Sequence, residues 1–140
     1  MESRDVEAIL AIQAACPEIA QWTAWDYDRV ARGEMAGWVG QQAGTVTAFI
    51  VARRVVREIE ILNFAVSPQQ RGQGVGAMLL RDALAWGKSF EATDAILEVR
   101  ASNQAALRFY ERHHFQIVGR RSRYYGSPTE DALLLNAKLG

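Results

Sequence analysis

The sequence predicts a single-domain chain, residues 1–140, of mixed α/β class (α+β in its connectivity), with a central mixed β-sheet flanked by helices. Three observations predict it. The hydrophobic period switches between helical and strand-like along the chain, as elements of both kinds require. Residues 58–66 alternate at first and then become almost wholly apolar, the mark of a central strand. A strand, helix, strand order over residues 62–99 implies a parallel pair, because a parallel connection needs a crossover.

Val6, Ile9, Leu10 and Ile12 fall on one helix face, which Pro17 ends because proline disfavours helical backbone at the preceding residue. After a tryptophan-rich stretch, Thr23 and Asp26 have the spacing of a capping box, so a second short helix runs through Tyr27, Val30 and Ala31 and stops near Gly33. Residues 37–52 read as two strands joined by the turn Gln42-Ala43-Gly44-Thr45. Residues 58–66 alternate at first and then become almost wholly apolar, as a strand buried on both faces does, and Ser67-Pro68 ends them.

Val75, Leu79, Ala83 and Trp86 recur at helical spacing, with Leu80 and Leu84 widening the stripe, which predicts a helix over residues 74–87. Residues 95–99 then form a strand expected to lie parallel to residues 62–66. Asn103 opens another helix reaching about His113, and residues 115–118 and 132–137 supply two terminal strands.

The composition, 49% hydrophobic and 23% charged, is that of a chain with a real core. Sixteen basic residues balance sixteen acidic ones, so no net field draws the molecule to nucleic acid or to an anionic membrane. The opening residues lack the uninterrupted apolar stretch of a signal peptide, no segment approaches membrane-spanning length, and the lone Cys16 suits a reducing compartment; the expected location is cytoplasmic. Cys16 reads as a small buried hydrophobe. The adjacent His113 and His114 lack the spacing of two ligands on one helix face, so no metal is expected.

The loop Gln70-Arg71-Gly72-Gln73-Gly74-Val75-Gly76 carries the functional signal. A phosphate needs converging N–H donors and close backbone approach. Glycines permit that approach, and the helix that follows adds the positive end of its dipole. Arg71 offers a charge-assisted contact. Taken alone the loop stays open to other readings. Gly72, Gly74 and Ala77 also meet the relaxed dinucleotide fingerprint, with Glu91 or Asp94 about twenty residues on, although that fingerprint follows its strand at once whereas residues 67–71 intervene here. A purely structural glycine turn is the other alternative.

Arg71-Gly72-Gln73-Gly74-Val75-Gly76 fits the pattern Arg/Gln-x-x-Gly-x-Gly/Ala, and with the strand before it resembles motif A of the GNAT superfamily of N-acetyltransferases. Residues 97–103, followed by Ala105-Ala106, Tyr110-Glu111 and Phe115, resemble the RimI-type ribosomal-protein-alanine N-acetyltransferases, as do Tyr124-Tyr125 and residues 130–132. The likeness covers residues 63–135 and is only general before them. It implies the GNAT acyl-CoA N-acyltransferase fold, in which two parallel strands splay beyond a bulge and pantetheine lies between them. It also implies that the backbone of Phe64, Ala65 and Val66 holds the pantetheine amides. Arg71, Gly72, Gln73, Gly74, Val75, Gly76 and Ala77 then hold the pyrophosphate, and Asn103 contacts the cofactor. Asn103 is equally well placed as an ordinary helix N-cap.

Acetyl transfer to an amine requires a neutral nitrogen, so a base must take a proton from the ammonium form that predominates at neutral pH. Glu98, near the end of a core strand, is the candidate base, and burial is expected to tune it. The departing CoA thiolate must be protonated or stabilised, and by family position Tyr110 is the acid. Their plainer readings are a surface carboxylate and an aromatic packing residue. The chain departs from the family at His113-His114-Phe115, where Leu-Gly-Phe is usual, so His114 must make the turn that glycine makes, with positive φ.

Trp22, Trp25, Tyr124 and Tyr125 are candidates to line an acceptor groove, with core packing the commoner role for tryptophan. Arg53, Arg54, Arg57, Arg120, Arg121 and Arg123 form either a partner-binding patch or a solvated basic rim. The expected function is transfer of acetyl from acetyl-CoA to a primary amine, foremost a protein N-terminal α-amine such as that of a ribosomal protein. A small-molecule amine acceptor and a non-catalytic acyl-CoA-binding module are the alternatives.

Overall fold

The computed structural model describes residues 1–126 and 129–140. Six strands, β1 Ala36–Gln42, β2 Thr45–Val55, β3 Glu58–Val66, β4 Asp94–Arg100, β5 Gln116–Gly126 and β6 Thr129–Lys138, form one sheet in the order β1-β2-β3-β4-β6-β5. Every neighbouring pair is antiparallel except β3 with β4. Among the described residues, four α-helices, α1 Val6–Ala14, α2 Ala24–Ala31, α3 Val75–Ser89 and α4 Gln104–Arg112, and two short 3-10 helices, Ser3–Asp5 and Pro68–Gln70, complete the fold.

The local signals operate as read. Thr23 accepts a hydrogen bond from the Asp26 amide at 3.2 Å and Asp26 Oδ2 accepts one from the Thr23 amide at 2.8 Å, which closes the capping box. Ala43 and Gly44 both have positive φ, the tight hairpin geometry that matches the twist of β1 and β2. His114 leaves α4 at φ 70, so a histidine does supply the turn made elsewhere by glycine.

The apolar residues divide between the sheet's two faces. Leu79, Leu80 and Ala83 of α3 and Tyr110 of α4 join Ile50, Ile59, Leu97 and Leu135 in one core. Ile9 and Ile12 of α1 and Tyr27 and Val30 of α2 join Phe49, Val51 and Ala65 in the other. A bulge lets β3 serve both. Val51 pairs with Asn63 and Ala52 with Ile61, so Leu62 has no residue opposite it. One extra residue reverses the alternation: Ile59 and Ile61 face the first core, whereas Ala65 faces the second. Asn63 is thereby buried beside Tyr27, donating to the Tyr27 hydroxyl and to the Ala20 carbonyl, each at 3.0 Å.

Two expectations are corrected. The parallel pairing of β4 involves Glu58, Ile59 and Glu60 of β3 rather than residues 62–66, because the strands diverge after the pair Glu60 and Ile96. The terminal strands also run well past residues 115–118 and 132–137. β5 is an edge strand whose Arg120 and Arg121 are exposed, so no apolar alternation marks its second half. Trp22, Trp38 and Trp86 pack against the cores, as the structural reading holds, while Trp25 is 62% exposed with Arg32 stacked on it. Among the described residues, no helix is long and apolar enough to cross a membrane.

Candidate active site

The divergence of β3 and β4 creates the site. Beyond Glu60 and Ile96 the two strands share no ladder, yet β3 stays paired with β2 as far as Val66 and β4 with β6 as far as Arg100. The wedge between them opens on two cavities of about 630 and 470 Å³. Glu18, Ile19, Phe64, Asn103, Ala106 and Tyr110 line both, and so mark where the two spaces meet.

The smaller cavity holds the glycine loop. Phe64, Ala65 and Val66, then Arg71, Gly72, Gly74, Val75, Gly76 and Ala77, line it together with Asn103. Gly72 and Gly74 have φ of 80 and 85, where a Cβ would strain the backbone, and Gly74 is the N-cap of α3 with no side chain capping the first turn. The opening amides of α3 are left for an anion. Gly76 packs close to β3: a Cβ there would lie 3.2 Å from Val66 Cγ2, so the Val66 side chain would have to shift. Gln73 is the one residue of 72–77 that does not line the cavity, its side chain accepting from Gln42 Nε2 at 2.9 Å. Arg71 lines it but rests its guanidinium on the α1–α2 connection, donating to Glu18 Oε1 at 3.1 Å and to the Val66 carbonyl at 3.2 Å. A wedge of unpaired strand backbone leading to open helix amides fits an extended amide-bearing chain that ends in a pyrophosphate, as in CoA.

Glu98 lines the larger cavity. Its side chain is 23% exposed and faces Arg121, Nη2 to Oε1 at 3.4 Å, so the deep burial expected of it is not found. Tyr110 is buried to 8% exposure, in ring contact with Phe64, Phe109 and Phe115. Burial pushes its phenol well above the usual range, so the hydroxyl keeps its proton at neutral pH. Tyr110 thus combines a packing ring with a protonated hydroxyl at the junction of the cavities. Asn103 caps α4, accepting from the Ala106 amide at 3.2 Å, and lines both cavities as well.

The larger cavity is more charged than the sequence suggested. Tyr124 and Tyr125 line it, whereas Trp22 and Trp25 do not. Three of the six arginines of the cluster are in ion pairs, Arg53 with Glu60, Arg120 with Asp131 and Arg121 with Glu98, while Arg54 stacks on Phe90. Glu18, Gln21, Glu60 and Asn63 also line this cavity and were not singled out from the sequence. Asn63, a lone amide inside an apolar strand, was the signal available there. Glu18, in a loop without a motif, carried none. No group of His, Cys, Asp and Glu among the described residues is arranged to hold a metal ion.

The family model described as "Acetyltransferase (GNAT) family" matches residues 6–115. The N-alpha-acetyltransferase RimI of Mycobacterium tuberculosis (strain ATCC 25618 / H37Rv) is 32% identical over 124 residues, covering 85% of this chain and 77% of that protein. A Bacillus subtilis (strain 168) relative is 38% identical over 81 residues, 58% of this chain, which thus spans about half of that relative's length (54%). The crystal structure of the ribosomal-protein-S18-alanine N-acetyltransferase from Escherichia coli superposes with a TM-score of 0.85 at 26% identity, covering 100% of this chain and 91% of that one.

Proposed function

Because this chain belongs to the GNAT acetyltransferase family, we propose that it is a cytoplasmic, single-domain N-acetyltransferase that moves the acetyl group of acetyl-CoA onto a protein N-terminal α-amine, of the ribosomal-protein-alanine type. One observation carries the reading: two cavities meet at Tyr110, with the glycine loop lining one and Glu98 lining the other. That arrangement suits a reaction that joins two substrates, each held in its own cavity.

Acetyl-CoA supplies the activated thioester. The chain's own residues hold, orient and move protons. The amides of residues 72–77 and the α3 dipole hold the pyrophosphate, with Arg71 adding charge, and the backbone of Phe64, Ala65 and Val66 hydrogen-bonds the pantetheine in the strand gap. Asn103 keeps α4 in register and faces the same cofactor. On the acceptor side Glu98 takes the ammonium proton, directly or through water, so that a neutral amine can attack. As the intermediate collapses, the nitrogen loses its remaining extra proton to Glu98, which has passed the first to solvent, and Tyr110 gives its proton to the departing sulfur and is reprotonated from solvent. Holding both substrates in one wedge makes the transfer effectively unimolecular.

The test is an acceptor panel with purified protein and acetyl-CoA: a peptide with N-terminal alanine, free amino acids, a polyamine and a lysine side chain. Turnover of the peptide, with kcat reduced about 10²-fold or more in Glu98→Gln and Tyr110→Phe, is the expected result. Modification of free amines alone would move the acceptor to a small molecule. Tight acetyl-CoA binding with no CoA released by any acceptor would leave a binding module.

A further inference from the structure

The cavity that Glu98 lines is ringed by ion pairs, and they are not equivalent. Glu60 takes Arg53 at 2.6 Å, Glu130 takes Arg100 at 3.0 Å and Glu18 takes Arg71 at 3.1 Å, each with hydrogen bonding. Glu98 and Arg121 stand 3.4 Å apart without one. Arg121 is thus held at Glu98 by charge without a hydrogen bond, and it is 55% exposed.

The fold brings Arg121 there from two strands away. Ala132 of β6 pairs with Arg100 on one side and Arg121 on the other, while Leu134 pairs with Glu98. Directly paired residues share a sheet face, so Arg121 lies on the face of Glu98 and Arg100 and meets Glu98 across the small side chain of Ala132, next to the residues that line the cavity. Beyond it the β5–β6 ladder slips between Arg121 and Tyr125, with Arg123 at φ 52. Tyr124, which lines the cavity, holds its ring 5.3 Å from the Arg121 guanidinium carbon.

We propose that Arg121 is a specificity-determining residue that donates to the first carbonyl oxygen of the acceptor while Glu98 engages its amine, so that the pair reads an α-amino carbonyl group rather than a bare primary amine. The inference rests on the acceptor-site reading of the Glu98 cavity. In a peptide N-terminus the amine nitrogen and the carbonyl oxygen are three bonds apart, about 3 Å. Glu98 and Arg121, 3.4 Å apart, are close enough neighbours for one to take the amine and the other the oxygen of a single α-amino carbonyl group. The ammonium takes the place of the guanidinium at Glu98, and the half-exposed guanidinium keeps a hydrogen-bond acceptor in the carbonyl oxygen. An alkyl amine offers no such oxygen, and a site built to hydrogen-bond a group discriminates against substrates that lack it.

The experiment compares the N-terminal alanine peptide with a simple alkyl amine on wild type, Arg121→Ala and Arg121→Lys. It reads kcat and KM for each acceptor and KM for acetyl-CoA, with thermal melting as the control for folding. The expected result is at least a ten-fold fall in the peptide-to-alkylamine ratio of kcat/KM in Arg121→Ala. That fall should appear mainly as a raised peptide KM, with acetyl-CoA KM steady and Arg121→Lys in between. An unchanged ratio, or a parallel loss with both acceptors, overturns the assignment while leaving the proposed function standing. Wild-type protein that acetylates no α-amino acceptor would sink the proposed function itself.

Discussion

Glu60 and Ile96 form the last rung between β3 and β4, and the residues that follow them on both strands line a cavity. The divergence coincides with the Leu62 bulge, which turns β3 over and so frees its inner edge. Three experiments probe what depends on this break and its surroundings, and a fourth separates the opposite end of β4 from the site.

Asn63 sits at the reversal, with both amide hydrogens engaged by Tyr27 and Ala20 and its oxygen accepting from the Phe64 amide at 3.1 Å. Replacing Asn63 with Leu removes a buried partner from each of these groups. Urea titration should show a loss of about 2 kcal/mol or more. Because the bond to Ala20 ties the α1–α2 connection to β3, acceptor KM should rise as well.

Tyr110→Phe should separate stability from chemistry. The hydroxyl makes no hydrogen bond to the described residues, so its removal should change stability by less than about 1 kcal/mol. In the proposed mechanism kcat nonetheless falls about 10²-fold. A mutant that lost stability and activity together would point to a packing role alone.

Alkaline pH should unfold the wild type more readily than this variant. Burial raises the phenols of Tyr110 and Tyr27 above their usual value in the folded chain. Each therefore contributes stability that is whole below the unfolded value of about 10 and is lost as pH rises past it, because the unfolded chain ionises first. Melting temperature against pH should decline above about pH 10, less steeply in Tyr110→Phe.

At the opposite end of β4, Asp94 accepts hydrogen bonds from Lys138, Thr93 and Asn136, which hold its carboxyl down at about 2. A depressed carboxylate stabilises above its unfolded pKa and loses that contribution as pH falls through the folded one. Asp94→Asn should lower stability modestly at pH 7, by under about 1 kcal/mol given the exposed Lys138 partner. The difference from wild type should vanish by about pH 2. Acetyl transfer should be unaffected, since Asp94 lines neither cavity.

What the sequence determined by itself was everything carried by neighbours in the chain. The capping box at Thr23, the hairpin at Ala43-Gly44, the left-handed turn at His114, the helix after Gly74 and the bounds of β3 are local, set by backbone preference and hydrophobic period. The glycine loop was legible for the same reason, since phosphate binding by backbone amides leaves its mark in consecutive residues.

The tertiary structure decided what depends on contacts between distant segments. It ended the β3–β4 ladder at Glu60 and carried β5 far past the last apolar residue of its run. It brought Glu18 to the junction of the cavities and placed Arg53, Arg120 and Arg121 of the arginine rim in ion pairs. A bulge records only that one residue has no partner across the sheet, and an ion pair only that two side chains meet in space. Neither leaves a period or a spacing in the chain, so the glycine loop could be read in advance while the partner of Glu98, Arg121, could not.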